Sequence, residues 1–255
     1  MKDDIYYTFP ADLMIGYWKS EEEKQRCCHD VLSYCAFKAW RNRESGTPDG
    51  EFYDLVCKEL GLVRFMYKNK SQFYENTNEV RELYYNYEGL YWSVSSSLFF
   101  KHYKAEETDV ERIGFLAYLA VKSILGNRGF AKTNRNFITS RMACNLRNVS
   151  DEELPEQILM YRKRYHFDKI CKEILPRMYK VAVYSDNRMR GVYLSLRKNA
   201  DGEPDLLWLA EQVANLRIEK KKGNDPYRIM LLEARRKVEQ MTTTPNDTIT
   251  TPNDT

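Results

Sequence analysis

The chain has 255 residues, 43% of them hydrophobic, which is enough to bury one good core or two small ones and excludes a disordered chain. Its net charge of +3 hides an asymmetry: residues 1–125 carry 16 basic and 20 acidic side chains, residues 126–200 carry 16 and 7, and residues 201–255 carry 8 and 10. No apolar run approaches the roughly 20 residues of a bilayer span, and MKDDIYYTFP has no secretory h-region, so the reading is a cytoplasmic protein without a membrane partner.

In chain order, EEEKQRCCHDVLSYCAFKAWRNR predicts one long helix and EFYDLVCKELGL a shorter one stopped by Gly61. Cys28 and Cys35 fall on one helical face beside His29, but the paired spacing of a structural zinc site is missing, so no metal is expected and the six cysteines read as small core residues. NTNEVRELYYNYEGLYWSVSSSLFFKHYK reads as two helices around Gly89. Its Tyr84, Tyr85, Tyr87 and Tyr91 suggest either a base-stacking platform or, more in keeping with helical spacing, a packing surface.

TDVE, from Thr108 to Glu111, is a capping box that starts a strong helix. Ile113, Leu116, Ala117, Ala120, Val121, Ile124 and Leu125 give it a wide apolar face, and Gly126 ends it. The following GNRGFAKT approaches the phosphate-binding G-x-x-x-x-G-K-[ST], but Ala131 replaces the second glycine and a helix, not a strand, leads in. No nucleotide and no other cofactor is therefore expected.

Phe130 to Lys132 reads as a short extended segment, with Thr133 as the N-cap of a helix over NRNFITSRMAC. Ser150 with Glu153 suggests another capped start, Asp168 a cap for KICKEILPRMY, and Pro176 a kink or end. YKVAVYSDNRMRGVYLSLR alternates Val181 and Val183, then Val192, Leu194 and Leu196, about a basic tip, the pattern of a β-hairpin. PDLLWLAEQVANLRIEKKK and PYRIMLLEARRKVEQM predict two C-terminal helices, and the TTPNDT repeat a disordered tail.

Helix, short strand, helix, helix, hairpin over about residues 109–198 resembles the winged helix-turn-helix DNA-binding domains, including those of plasmid and phage replication initiators and other mobile-element proteins. FLAYLAVKSIL, KTNRNFITSRM, RKRYHFDKICKEIL and YKVAVYSDNRMRGVYLSL carry the likeness. The resemblance implies a helix in the major groove of double-stranded DNA and a hairpin tip on the backbone or minor groove. The residues it points to are Arg128, Lys132, Arg135 and Arg141 around the second helix, Arg162, Lys163, Arg164, Lys169 and Lys172 near the third, and Arg188 and Arg190 at the hairpin tip. Asn134 and Asn136 read bases only if the second helix is the one presented.

The expected fold is mainly α: an acidic helical domain over 1–105, a basic winged-helix-like domain with one small β-hairpin over 106–200, C-terminal helices over 201–241 and a tail over 242–255. Non-catalytic DNA binding in replication or regulation of a mobile element is the leading reading. The alternative is an adaptor whose winged-helix-like domain docks a protein, and a homodimer stays open beside both. The three histidines, His29, His102 and His166, form no ligand set and no catalytic residue is expected.

Overall fold

A computed structural model of the chain describes residues 5–41, 50–64, 70–185 and 191–223. It is mainly helical, with two small sheets, one of which contains the expected hairpin. The first strand, β1 (Tyr6–Pro10), turns Tyr7 and Phe9 inward and pairs antiparallel with β2 (Tyr91–Ser95), whose Trp92 and Val94 face Phe9 and Tyr7 in register. Tyr91–Ser95 was expected within a helix. The residues alternate with period two, the strand signature, but the partner that makes the pairing worthwhile lies at the other end of the N-terminal segment.

Around this sheet run α1 (Glu21–Arg41), α2 (Gly50–Glu59), α3 (Lys70–Tyr84) and α4 (Ser96–Lys104). Helix α1 is buried along most of its length through Cys27, Cys28, Val31, Leu32, Ala36 and Phe37. Next comes α5 (Asp109–Leu125), opened by the expected capping box: Thr108 accepts from the Glu111 N–H, and the Glu111 carboxylate accepts from the Thr108 N–H at 2.8 Å. Ile113, Leu116, Ala117, Ala120 and Val121 are all buried, which makes α5 the central helix of the core. Gly114 lets another helix close on it, since a Cβ there would sit 2.7 Å from Ile174 Cγ2.

The boundary expected between residues 105 and 106 does not divide the structure. Residues 1–206 form one compact unit and residues 207–255 a second. Polar groups are buried where the boundary was drawn. The Tyr17 hydroxyl donates to Glu107 Oε2 at 2.9 Å, the other Glu107 oxygen meets His102 Nδ1, and the His102 ring stacks on Phe115 at 4.0 Å. The ammonium of Lys24, fully buried, donates to the His102 carbonyl at 3.0 Å and pairs with Glu21 at 2.6 Å. A charge buried this deeply needs such partners, and the His102 that supplies one of them is itself held by Glu107 and Phe115 from beyond residue 105.

Beyond α5 the order is β3 (Ala131–Thr133), α6 (Arg135–Met142), α7 (Glu156–Leu159), α8 (Arg164–Lys169), α9 (Leu175–Tyr179), β4 (Ala182–Tyr184) and β5 (Val192–Ser195). β5 lies between β3 and β4 in an all-antiparallel sheet, pairing Lys132 with Tyr193 on one side and Val183 with Leu194 on the other. Being central, β5 is buried at every position, while Val183 on β4 stays half-buried. Gly191 enters β5 with φ +109°, and a Cβ there would lie 2.4 Å from the Thr133 carbonyl oxygen.

Three cap assignments shift. Asn134, not Thr133, caps α6, its side chain accepting from the Phe137 N–H at 2.9 Å. Ser150 donates from both its N–H and its hydroxyl to the Glu153 carboxylate, but only a turn forms and α7 waits for Glu156 after Pro155. Asp168 lies inside α8, whose first turn opens at Arg164 with no side-chain cap. A π-helical turn, Ile170–Ile174, joins α8 to α9, with Pro176 in the first turn of α9. Proline has no N–H to give and its ring crowds the carbonyl four residues back, so widening the preceding turn relieves both.

In the second unit, α10 (Leu206–Gly223) covers the first of the two expected C-terminal helices. The other one, and the repeat tail, lie outside the described residues. Among the described residues no helix is long and apolar enough to cross a membrane.

Candidate nucleic-acid interface

The basic segment places its cations in three ways. Some are inside. Arg162 is 8% exposed, and its guanidinium donates to Thr139 Oγ1 and Ser140 Oγ at 3.0 Å each and to the Val149 carbonyl at 2.7 Å, with Asp151 as ion partner. It staples the loop after α6 to the start of α8, and its donors point into the protein. This corrects the expectation that Arg162 faces DNA. A buried arginine with satisfied donors is costly to remove and cannot also reach a phosphate.

Others are turned back on the protein surface. Arg128 donates to the carbonyls of Leu125 and Ile124, filling the open acceptors at the C-terminus of α5. The loop from Gly126 that resembled a phosphate cradle is thus closed over by its own arginine. Arg141 lies over the Phe137 ring at 5.0 Å, where desolvation lowers its pKa. Lys132 sits 5.9 Å from the ring of its cross-strand neighbour Tyr193.

The third group is presented to solvent. Lys163, Arg164, Lys169 and Lys172 are exposed along α8 and the turn after it, while Phe167, Ile170, Cys171 and Ile174 face the core. Of these four cations only Lys172 has an acidic partner among the described residues, Asp168 at 3.0 Å. Tyr165 stands out from the same turn as Arg164 at 76% exposure. Arg188 and Arg190, expected at the hairpin tip, lie outside the described residues.

The surface between these elements is concave. A cavity of about 370 Å³ is lined by Asn134, Arg135, Asn136, Asn148, Phe167 and Gly191. A second, of about 500 Å³, shares Phe167, Gly191 and Val192 with it and runs along Arg164, Asp168 and Lys172. The first turns of α6 and α8 therefore line two adjoining cavities that share Phe167 and the entry to β5. Arg135 brings a guanidinium whose Nε is buried and unpartnered, and Asn134 keeps its amide N–H groups available because its cap uses only the oxygen. Spacing in the sequence could not separate the inward Arg162 from the outward Arg164; the signal available was the pair of small hydroxyl residues, Thr139 and Ser140, one face below.

His102 and Glu107 are enclosed in the core, and all six cysteines are free and buried, with burial pushing the thiols of Cys35 and Cys171 up to about 12. Among the described residues no three His, Cys, Asp or Glu side chains cluster as metal ligands. No protein-family model, curated protein or solved structure matches the chain.

Proposed function

We propose that the protein is a non-catalytic duplex-DNA-binding protein acting in replication or transcription control, with a winged-helix-like arrangement over residues 109–198 as its binding element. The observation that carries the reading is that the amide-rich start of α6 and Arg164 of α8 line adjoining cavities, with Lys163 and Lys169 exposed beside Arg164. Lys163, Arg164 and Lys169 supply phosphate neutralisation and counterion release. Asn134, Asn136 and Arg135 supply the donor and acceptor pairs that distinguish base edges. The hairpin strands β4 and β5 supply Val183 and Val192 to the same cavity as Arg164 and Phe167 of α8, which supports the arrangement.

The test is titration of the full-length chain into labelled mixed-sequence duplex from about 50 to about 200 mM salt. The expected result is micromolar or tighter binding at the low end and a log–log slope of several released ions. Absence of binding at about 50 mM salt overturns the reading in favour of a protein-docking adaptor.

A further inference from the structure

The larger cavity has a chemistry of its own. Its volume, about 500 Å³, falls in the range that holds a small organic molecule. Carbon and polar surface share the wall about equally, and the carbon part is Phe167 and Cys171 from α8 and the π turn, Val181 and Val183 from β4 and its approach, and Val192 from β5. Cys171 counts with them, because its buried thiol stays protonated at neutral pH. Three charges stand at the mouth, and Asp168 neutralises Lys172. That leaves the guanidinium of Arg164 as the one uncompensated charge among the described lining residues. Its planar fork matches a carboxylate through two parallel hydrogen bonds.

We propose that this cavity binds an amphipathic organic monoanion, a carboxylate carried on an aromatic or medium-chain aliphatic body. The body lies against Phe167, Val181, Val183 and Val192, and the carboxylate meets Arg164. Since Arg164 also belongs to the surface assigned to duplex DNA, ligand and DNA compete. That competition alone rests on the duplex reading; occupancy of the cavity does not.

The probe is 1-anilinonaphthalene-8-sulfonate, whose sulfonate stands in for the carboxylate, titrated into the full-length chain and followed by fluorescence. One saturable site per chain is expected, displaced by decanoate and not by decanol. Arg164→Gln, an exposed substitution, weakens binding by about tenfold, the loss of one charge-assisted pair. Val183→Trp fills the wall and removes binding while the far-ultraviolet circular dichroism stays that of the parent. Displacement by decanol equal to that by decanoate, or unchanged affinity in Arg164→Gln, overturns the proposal. If Val183→Trp does not fold, Arg164→Gln and the decanoate–decanol comparison decide. Added duplex should release the probe; probe binding as stated with no duplex binding sinks the DNA reading and leaves the cavity assigned.

Discussion

The Tyr179 hydroxyl meets His102 Nε2 at 3.2 Å in the buried core, joining the last turn of α9 to α4 across 77 residues of chain. His102 is held on its other nitrogen by Glu107, and Glu107 by Tyr17, so α9 is fastened to the N-terminal part by a run of enclosed polar groups. A buried network is worth keeping only when every member is satisfied.

Tyr179→Phe strands the His102 nitrogen and should cost about 1–3 kcal/mol in urea unfolding. A fragment of residues 106–200 loses the whole network and the α1 and β2 surfaces, and it should show no cooperative transition. A fragment that unfolds cooperatively would restore the boundary at residue 105.

Removing the Arg162 side chain as Arg162→Met should lower stability by about 3–5 kcal/mol, because Asp151 and the Ser140 and Thr139 hydroxyls lose their common partner. At temperatures where this variant is folded its DNA salt slope should match the parent's. A reduced slope would put Arg162 on the duplex.

Lys163→Gln and Lys169→Gln act in the opposite way. Each should leave urea stability within about 0.5 kcal/mol and reduce the salt slope of duplex binding by about one ion. The sequence preference stays as it was, since phosphate contacts read no bases.

Gly191→Ala places a Cβ against the Thr133 carbonyl at a φ that L-residues avoid. A loss of about 2–4 kcal/mol is expected from strain plus contact, together with weakening of the β3–β5 pairing seen by hydrogen exchange at Val192. Gly61→Ala, also at positive φ but with open space around its Cβ, should cost about 1 kcal/mol.

Asp30 gives a pH-dependent case. Burial raises its pKa to about 6, only partly offset by Arg26 at 3.1 Å. A carboxyl raised in the folded state contributes stability below its unfolded pKa near 4 and loses it as pH climbs through 6. At pH 7 its ionised form is therefore a cost, which partial exposure holds to about 1 kcal/mol. Asp30→Asn should gain about that much at pH 7 and nothing at pH 4, read from urea midpoints at the two values.

Helix α5 was legible because its signals are local: Thr108 and Glu111 lie within one turn, and its apolar face repeats every three or four residues. The hairpin was legible for the same reason, from Val181, Val183, Val192 and Leu194. Strand β2 was not, because Tyr91–Ser95 runs directly into α4 and its partner β1 lies more than eighty residues upstream. Nor was the division of the arginines. Arg162 and Arg164 differ in fate through the extended residue between them, Lys163 with ψ 137°, which breaks the helix and resets its face. The continuous core across residue 105 escaped notice because a charge asymmetry in sequence describes surfaces, whereas Lys24, Glu107 and His102 are charges and dipoles taken inside.

The π turn at Ile170–Ile174 decides more than the comfort of Pro176. Each residue of an α-helix advances its side chains by about 100°, so one residue taken up in a wider turn resets the angular phase of everything after it. Ahead of the turn the phase sends Tyr165 and Lys169 to solvent; beyond it the phase brings Tyr179 to His102. The helix works as an axle with an offset coupling. Its outward end and its anchored end are set to different angles.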